Sequence, residues 1–162
     1  MSIRWIIVGT LLLYSIAHAQ PRFDDFLGSL DSQLGWSWQV PRNSPVNSLD
    51  ASRISFTGDA LVITAQAGTL YQNLNNIRNL PSLSVPALRG AWSIETRVRL
   101  QRNALSSAYL QAGIVLLRDA DNYFNLHLVY IPESNNWLSV SGGHEQNGVY
   151  QWAGLSGIVW NP

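Results

Sequence analysis

Hydrophobic and polar positions alternate with period two along most of this chain. Trp92-Ser-Ile-Glu-Thr-Arg-Val-Arg-Leu100 is the clearest stretch: Trp92, Ile94, Thr96, Val98 and Leu100 fall on one face, and Ser93, Glu95, Arg97 and Arg99 on the other. That is the signature of a strand half buried in an antiparallel sheet. From Tyr123 to Tyr130, Phe124, Leu126, Leu128 and Tyr130 share a face opposite Asn125 and His127. Gln111 to Arg118 is a nearly continuous apolar run of strand length, as expected for a central strand. Shorter strands are predicted at Ile54 to Phe56, Ala60 to Ala65 and Trp137 to Ser141. Turn signals separate these runs at Gly58-Asp59, Asp119 to Asn122 and Gly142-Gly143, and Pro41 to Asp50 reads as a loop. No segment beyond Gln20 keeps helical spacing over three turns. Many short strands joined by polar turns predict an all-β fold, a sandwich or a barrel.

The first twenty residues follow a different pattern. Arg4 precedes an apolar run from Trp5 to Ile16, and Ala17-His18-Ala19 forms an A-x-A motif. These are the three parts of a secretory signal peptide, with Gln20 the expected first residue of the mature chain. The run is roughly a dozen residues, shorter than the ~20 of a membrane-spanning helix. The expected organisation is a signal peptide over 1–19 and one domain over 20–162. The expected location is extracellular or periplasmic, with no membrane association after cleavage.

Composition narrows the chemistry. At 162 residues the chain is long enough for one domain with a real core. Positive and negative residues balance at ten each, which argues against a nucleic-acid partner. All ten basic residues are Arg, so Schiff-base and P-loop lysines are excluded. Cysteine is absent, which excludes thiol catalysis, thiolate metal sites and disulfides.

Several stretches carry a family resemblance. Phe23-Asp-Asp-Phe26 followed by Trp36-Ser-Trp38 resembles the opening of the concanavalin A-like domains found at the C-terminus of family 43 β-xylosidases, and of their free-standing relatives. Gly68-Thr-Leu-Tyr71 with Asn75-Asn-Ile-Arg-Asn-Leu80 is similar to a loop of the same group. So is Gln111-Ala-Gly-Ile-Val-Leu-Leu-Arg-Asp-Ala-Asp-Asn-Tyr-Phe-Asn-Leu126, the most specific stretch. The resemblance runs from about Phe23 to Tyr150. It implies a two-sheet antiparallel β-sandwich, a jelly roll, often secreted and associated with plant or microbial polysaccharides. Such domains close with a further aromatic-rich hairpin after the segment matching Gly142 to Trp152. The resemblance therefore implies a form lacking its closing strands, with an exposed edge.

Catalytic signals are weak. Glucanases on lectin-like sandwiches carry an E-x-D-x-E or E-x-D-x-x-E strand, with nucleophile and acid about 5–5.5 Å apart. None of the three glutamates, Glu95, Glu133 and Glu145, begins an E-x-D. Glu95 has Arg97 and Arg99 beside it on its own face, which reads as a charge-balanced surface. Gly154-Leu-Ser-Gly157 lacks the spacing of a nucleophile elbow. Past the signal peptide the histidines are His127 and His144, without the spacing of a zinc site.

Binding signals are stronger. A sugar presents an apolar C–H face and a rim of hydroxyls, so its site needs exposed aromatic rings beside amides or charged groups. Tyr71, Asn75, Asn76, Arg78 and Asn79 supply that mixture within one loop. Trp36 and Trp38 lie on one face of an extended segment, where they serve a sandwich core or a stacking platform. The asparagines serve turn chemistry equally well. His144, with Glu145, Asn147 and Tyr150, forms a further polar-aromatic group. Asp119-Ala-Asp-Asn122 presents oxygen ligands at Asp119 and Asp121, but Phe124 and Tyr130 stand where a calcium loop needs Gly and Glu. A hairpin turn is the better reading, with structural calcium the minority one and no other cofactor expected.

The expectation is a non-catalytic, secreted module that binds a polysaccharide or oligosaccharide. Trp36, Trp38, Tyr71, Asn75, Asn76, Arg78 and His144 are its candidate residues. A polysaccharide-active hydrolase and a structural or protein-interaction domain, including a gene fragment, are the alternatives.

Overall fold

A computed structural model describes residues 3–8, 14–15, 22–38, 49–72, 74–85, 92–101, 109–132 and 137–153. The A-x-A motif at 17–19, the 41–48 part of the expected loop, Glu133 and the 154–157 segment lie outside the described residues. Twelve strands are described: β1 (Ile3–Val8), β2 (Tyr14–Ser15), β3 (Trp36–Trp38), β4 (Ile54–Thr57), β5 (Ala60–Ala65), β6 (Pro81–Leu83), β7 (Trp92–Ser93), β8 (Val98–Gln101), β9 (Leu110–Asp119), β10 (Asn122–Ile131), β11 (Trp137–Gln146) and β12 (Val149–Ala153). Helical structure among the described residues is limited to single 3-10 turns at Ser32–Leu34 and Ala51–Arg53. The chain is all-β.

Two antiparallel four-stranded sheets dominate, ordered β4-β5-β1-β8 and β12-β11-β10-β9, with β2–β7 and β3–β6 as separate pairs. The apolar and β-branched run at the chain's beginning, well suited to extended structure, supplies an interior strand. β1 pairs antiparallel with β5 and with β8, so that Trp5 is opposite Ile63 on one side and Leu100 on the other.

The first sheet follows its sequence pattern closely. β4 and β5 form a hairpin around Gly58-Asp59, with Gly58 at φ +65°. Their register puts Ile54 opposite Ile63 and Phe56 opposite Leu61. Phe26, Leu61 and Ile63 form the buried core, against which Leu30, Trp36, Trp38, Ile54 and Phe56 pack. The Phe23–Phe26 segment is pinned by Asp24, whose carboxylate accepts from the backbone N–H of Phe26 (2.8 Å) and of Asp31 (3.0 Å). From Ile94 to Leu100 the burial alternates as predicted, but Trp92, expected on the covered face, is 41% exposed, and ladder pairing is confined to β7 and β8.

The second sheet departs from its pattern twice. Gly142-Gly143, a predicted turn, lies inside β11, where Gly142 pairs with Leu126 and Gly143 with Asn125. The turn is instead Asn147-Gly148, at φ +53° and +74°. Two consecutive left-handed residues suit the twist of a two-residue hairpin. Secondly, the apolar face of β10 is not the covered one at the strand's beginning. Phe124 is 42% exposed and Leu126 40%, while Tyr123, His127 and Val129 on the opposite face are buried. The loop carrying Leu70 and Gln72 is bonded over the Tyr123 end of that opposite face, as described below.

These burials predict unequal mutational costs. Leu61→Ala should destabilise the protein by about 2–5 kcal/mol, as for other truncations of fully buried leucines. Phe124→Ala should cost under about 1 kcal/mol. Equilibrium urea denaturation of both variants measures the contrast, and equal losses would mean that Phe124 is covered in solution.

Candidate functional site

The Asn147-Gly148 hairpin sets the register that builds the site. It places Tyr150 opposite Glu145 and Trp152 opposite Gly143. On the other side of β11, Tyr123 pairs with Glu145 and Asn125 with Gly143. Because side chains alternate along a strand, these six residues share one face in two adjacent rows, Tyr123–Glu145–Tyr150 and Asn125–Gly143–Trp152. Gly143 is the seat of the arrangement. A Cβ there would collide with the Tyr150 hydroxyl and would lie 2.6 Å from both the Tyr150 ring and the Gln151 carbonyl oxygen. The bare glycine lets the Tyr150 ring lean across β11, where its hydroxyl donates to Asn125 Oδ1 at 2.9 Å.

The 69–76 loop is fastened over these rows. The loop closes on itself: the Thr69 N–H donates to Asn76 Oδ1 (2.8 Å) and the Asn76 N–H to the Thr69 carbonyl (3.0 Å). Gly68 permits the close pass, since a Cβ there would stand 2.5 Å from the Asn76 carbonyl oxygen. Three bonds then tie the loop to the second sheet. The Gln72 N–H donates to Glu145 Oε2 (2.7 Å), and Asn75 Nδ2 to Asp121 Oδ1 (3.0 Å). The Tyr123 hydroxyl lies 2.9 Å from the Leu70 carbonyl oxygen and 3.1 Å from Glu145 Oε2. Gln72 takes a left-handed φ of +52°, a conformation that side-chain-bearing residues adopt at a cost.

Docking of this loop completes a run of aromatic rings. Tyr71 and Tyr150 have centroids 5.3 Å apart, and Trp152 meets Tyr150 edge to face at 5.0 Å and 78°. Tyr71 is 40% exposed and Trp152 62%. Beneath them Glu145 is buried, with Oε1 lacking a hydrogen-bond partner. Burial, with the Glu145 carboxylate next, pushes the Tyr123 phenol far above its usual range. Tyr123 is thus a neutral donor at every physiological pH. Burial likewise raises Tyr150.

The sequence-derived candidates are distributed unevenly around this face. Tyr71 lies on it. Asn75 is buried beneath the loop on Asp121, and Asn76 and Asn79 fasten backbone. Asn79 accepts from the Asp50 N–H at 2.8 Å. Arg78 is exposed. Trp36 and Trp38 pack on the core around Phe26 and Leu61, and the Trp36 ring is 6.0 Å from that of Phe26. Trp36 Nε1 is buried without a partner. His144, exposed, stands between Phe124 and Gln151 on the opposite face of β11. Asp119 closes the β9–β10 turn, accepting from the Asp121 N–H (3.0 Å) and Asn122 Nδ2 (2.8 Å). Those bonds, with Asn122 first, hold its carboxyl below the usual range. Among the described residues no group of three His, Asp or Glu is placed to hold a metal ion.

Trp152 and Asn125 were not singled out from the sequence. A signal for Trp152 existed in Tyr150-Gln-Trp152 directly after an Asn-Gly turn, a spacing that puts both rings on one face.

Two measurements test this geometry. Gly143→Ala should cost about 1–3 kcal/mol through overpacking against Tyr150, and it should displace the Tyr150 ring resonances in an NMR spectrum. The second concerns His127, buried with Nε2 unpartnered and its pKa lowered by that burial. A histidine depressed on folding contributes stability above its usual 6.5 and loses it as pH falls through the folded value. Unfolding free energy should therefore decline below about pH 6.5, and His127→Gln should flatten that decline.

No protein-family model matches the chain, and no curated protein or solved structure is significantly similar to it.

Proposed function

We propose that this chain is an exported carbohydrate-binding module that binds a polysaccharide or oligosaccharide without cleaving it. The observation that carries this reading is the run of Tyr71, Tyr150 and Trp152 rings over one sheet face, with Tyr71 and Trp152 exposed on either side of a half-buried Tyr150. Tyrosine and tryptophan offer large, rigid surfaces at a low entropic cost, and their faces suit the C–H side of a pyranose. Asn125 and the Tyr150 hydroxyl, bonded to each other, supply polar groups at the border of the stack. The resemblance to concanavalin A-like domains of polysaccharide-degrading enzymes, and the signal-peptide pattern of residues 1–19, point the same way.

Two features favour binding over hydrolysis. Glycoside hydrolysis ordinarily uses two carboxyl groups on either side of the scissile bond. Here the aromatic run overlies one carboxylate, Glu145, and that group is buried and committed to the Gln72 N–H and Tyr123.

Titration calorimetry of the protein with xylan and glucan oligosaccharides tests the reading. Trp152→Ala should weaken binding at least about tenfold, a loss of about 1.4 kcal/mol, and leave the thermal midpoint within a few degrees. Trp36→Ala should lower the midpoint and leave affinity intact in the protein that remains folded. A glycan bound as tightly by the Trp152 variant would remove this face from consideration. A panel in which no glycan binds would remove the carbohydrate reading itself.

A further inference from the structure

We infer that β5 and β8 form the two walls of a strand-acceptor slot, which takes an extended, apolar polypeptide segment running antiparallel to both. β1 fills the slot within the chain: Ile3 to Val8 pair with Ala65 to Ala60, and Arg4 to Ile7 pair with Gln101 to Val98. Both walls are thus antiparallel to one strand, and they lie two strand spacings apart, roughly 9–10 Å. That gap is too wide for β5 and β8 to bond each other directly.

β5 carries the argument from its own burial. Ala60, Leu61, Val62 and Ile63 are all buried, so both of its faces are covered. Such a strand belongs in a sheet interior and needs ladder partners on both edges. β4 supplies one edge, with Ile54 to Thr57 opposite Ile63 to Ala60. The other edge faces the slot.

The occupant of that slot is also the segment that the sequence marks for removal. Ile3–Val8 spans the beginning of the apolar run that precedes Ala17-His18-Ala19. Cleavage after Ala19 and pairing in the sheet are mutually exclusive fates for one copy of this segment. Once it leaves, two unpaired edges face each other across one strand's width, each with a row of free backbone donors and acceptors. A strand supplied by another polypeptide satisfies both rows at once, as in other cases of strand addition, by taking the ladder positions of β1. This inference rests on the exported reading of residues 1–19, is independent of glycan binding, and concerns the other sheet.

The test uses the full chain with Ile6→Pro, which removes a ladder N–H at the centre of β1 and blocks its pairing in cis. Amide hydrogen exchange is followed with and without a synthetic peptide spanning residues 2–9, flanked by lysines for solubility. The variant should exchange the slot-facing amides of β5 and β8 at least roughly tenfold faster than the unsubstituted chain. The peptide should restore their protection, and the same peptide carrying the proline should not. Where the variant loses its fold altogether, recovery of the folded spectrum on adding the peptide is the same positive result. Unchanged protection in the variant, or no recovery with the peptide, overturns the slot.

Register supplies a second measurement, readable because the chain has no cysteine of its own. An Arg4→Cys peptide should cross-link to Thr64→Cys in the Ile6→Pro chain at least about tenfold faster than to Ser55→Cys on the exposed side of β4. Equal rates at the two positions would mean adhesion without insertion.

Discussion

Glu145 is the group on which the second half of the molecule turns. A carboxylate taken out of water costs several kcal/mol unless donors replace its hydration. Glu145 Oε2 obtains them from the Gln72 N–H and the Tyr123 hydroxyl. Gln72 is 73 positions away in sequence, so this one side chain joins a distant loop to the middle of a sheet. An apolar residue at 145 would satisfy the alternation of β11 equally well. What the carboxylate adds is position, because a charge-assisted bond is short and directional where hydrophobic contact is not. The loop that it captures brings Tyr71 against Tyr150.

The same capture covers Tyr123, on the less apolar face of β10. Tyr123 and His127 carry polar atoms, yet they are buried, while Phe124 and Leu126 are substantially exposed. Tyr123 is tolerated because its single hydroxyl proton is shared between the Leu70 carbonyl and Glu145. His127 lies opposite Gly113, where a Cβ would collide with the Leu126 carbonyl oxygen and stand 2.5 Å from the His127 Cα, so the bare glycine lets the two backbones approach closely. Glycines in the two strands that flank β10, Gly113 and Gly143, thus permit close approach, of the β10 backbone in one case and of the Tyr150 ring in the other. A ring in a sheet is well ordered when its neighbour yields space and a polar partner holds its end.

Much of the architecture was legible along the chain. Ala60–Ala65 matches its predicted run, and the runs at 111–118 and 123–130 lengthen by only a residue at each end. Gly58-Asp59 and Asp119 to Asn122 turn where their residue types require it. The site was legible only in pieces. Tyr71 was visible as an aromatic in an amide-rich loop. The role of Asn75, Asn76 and Asn79 as fasteners was one of two readings that their chemistry allowed, and their bonding partners are what the structure adds. Gly142-Gly143 was misread because two adjacent glycines signal a turn by conformational freedom, whereas here both lie inside β11 and Gly143 provides space for the Tyr150 ring.

The sequence by itself determined the period of the backbone and the places where it reverses, and hence the all-β class. These are local properties, set by alternation over a few residues and by the φ/ψ tolerance of single turn residues. The tertiary structure decided which face of each strand is covered, since both faces of β10 carry residues that can be buried. It decided that Trp36 and Trp38 belong to the core and that Tyr71, Tyr150 and Trp152 come together at the surface. It also placed Ile3–Val8 between two strands more than fifty residues further along the chain. Each of these outcomes depends on what a distant segment brings into contact, which no local pattern encodes.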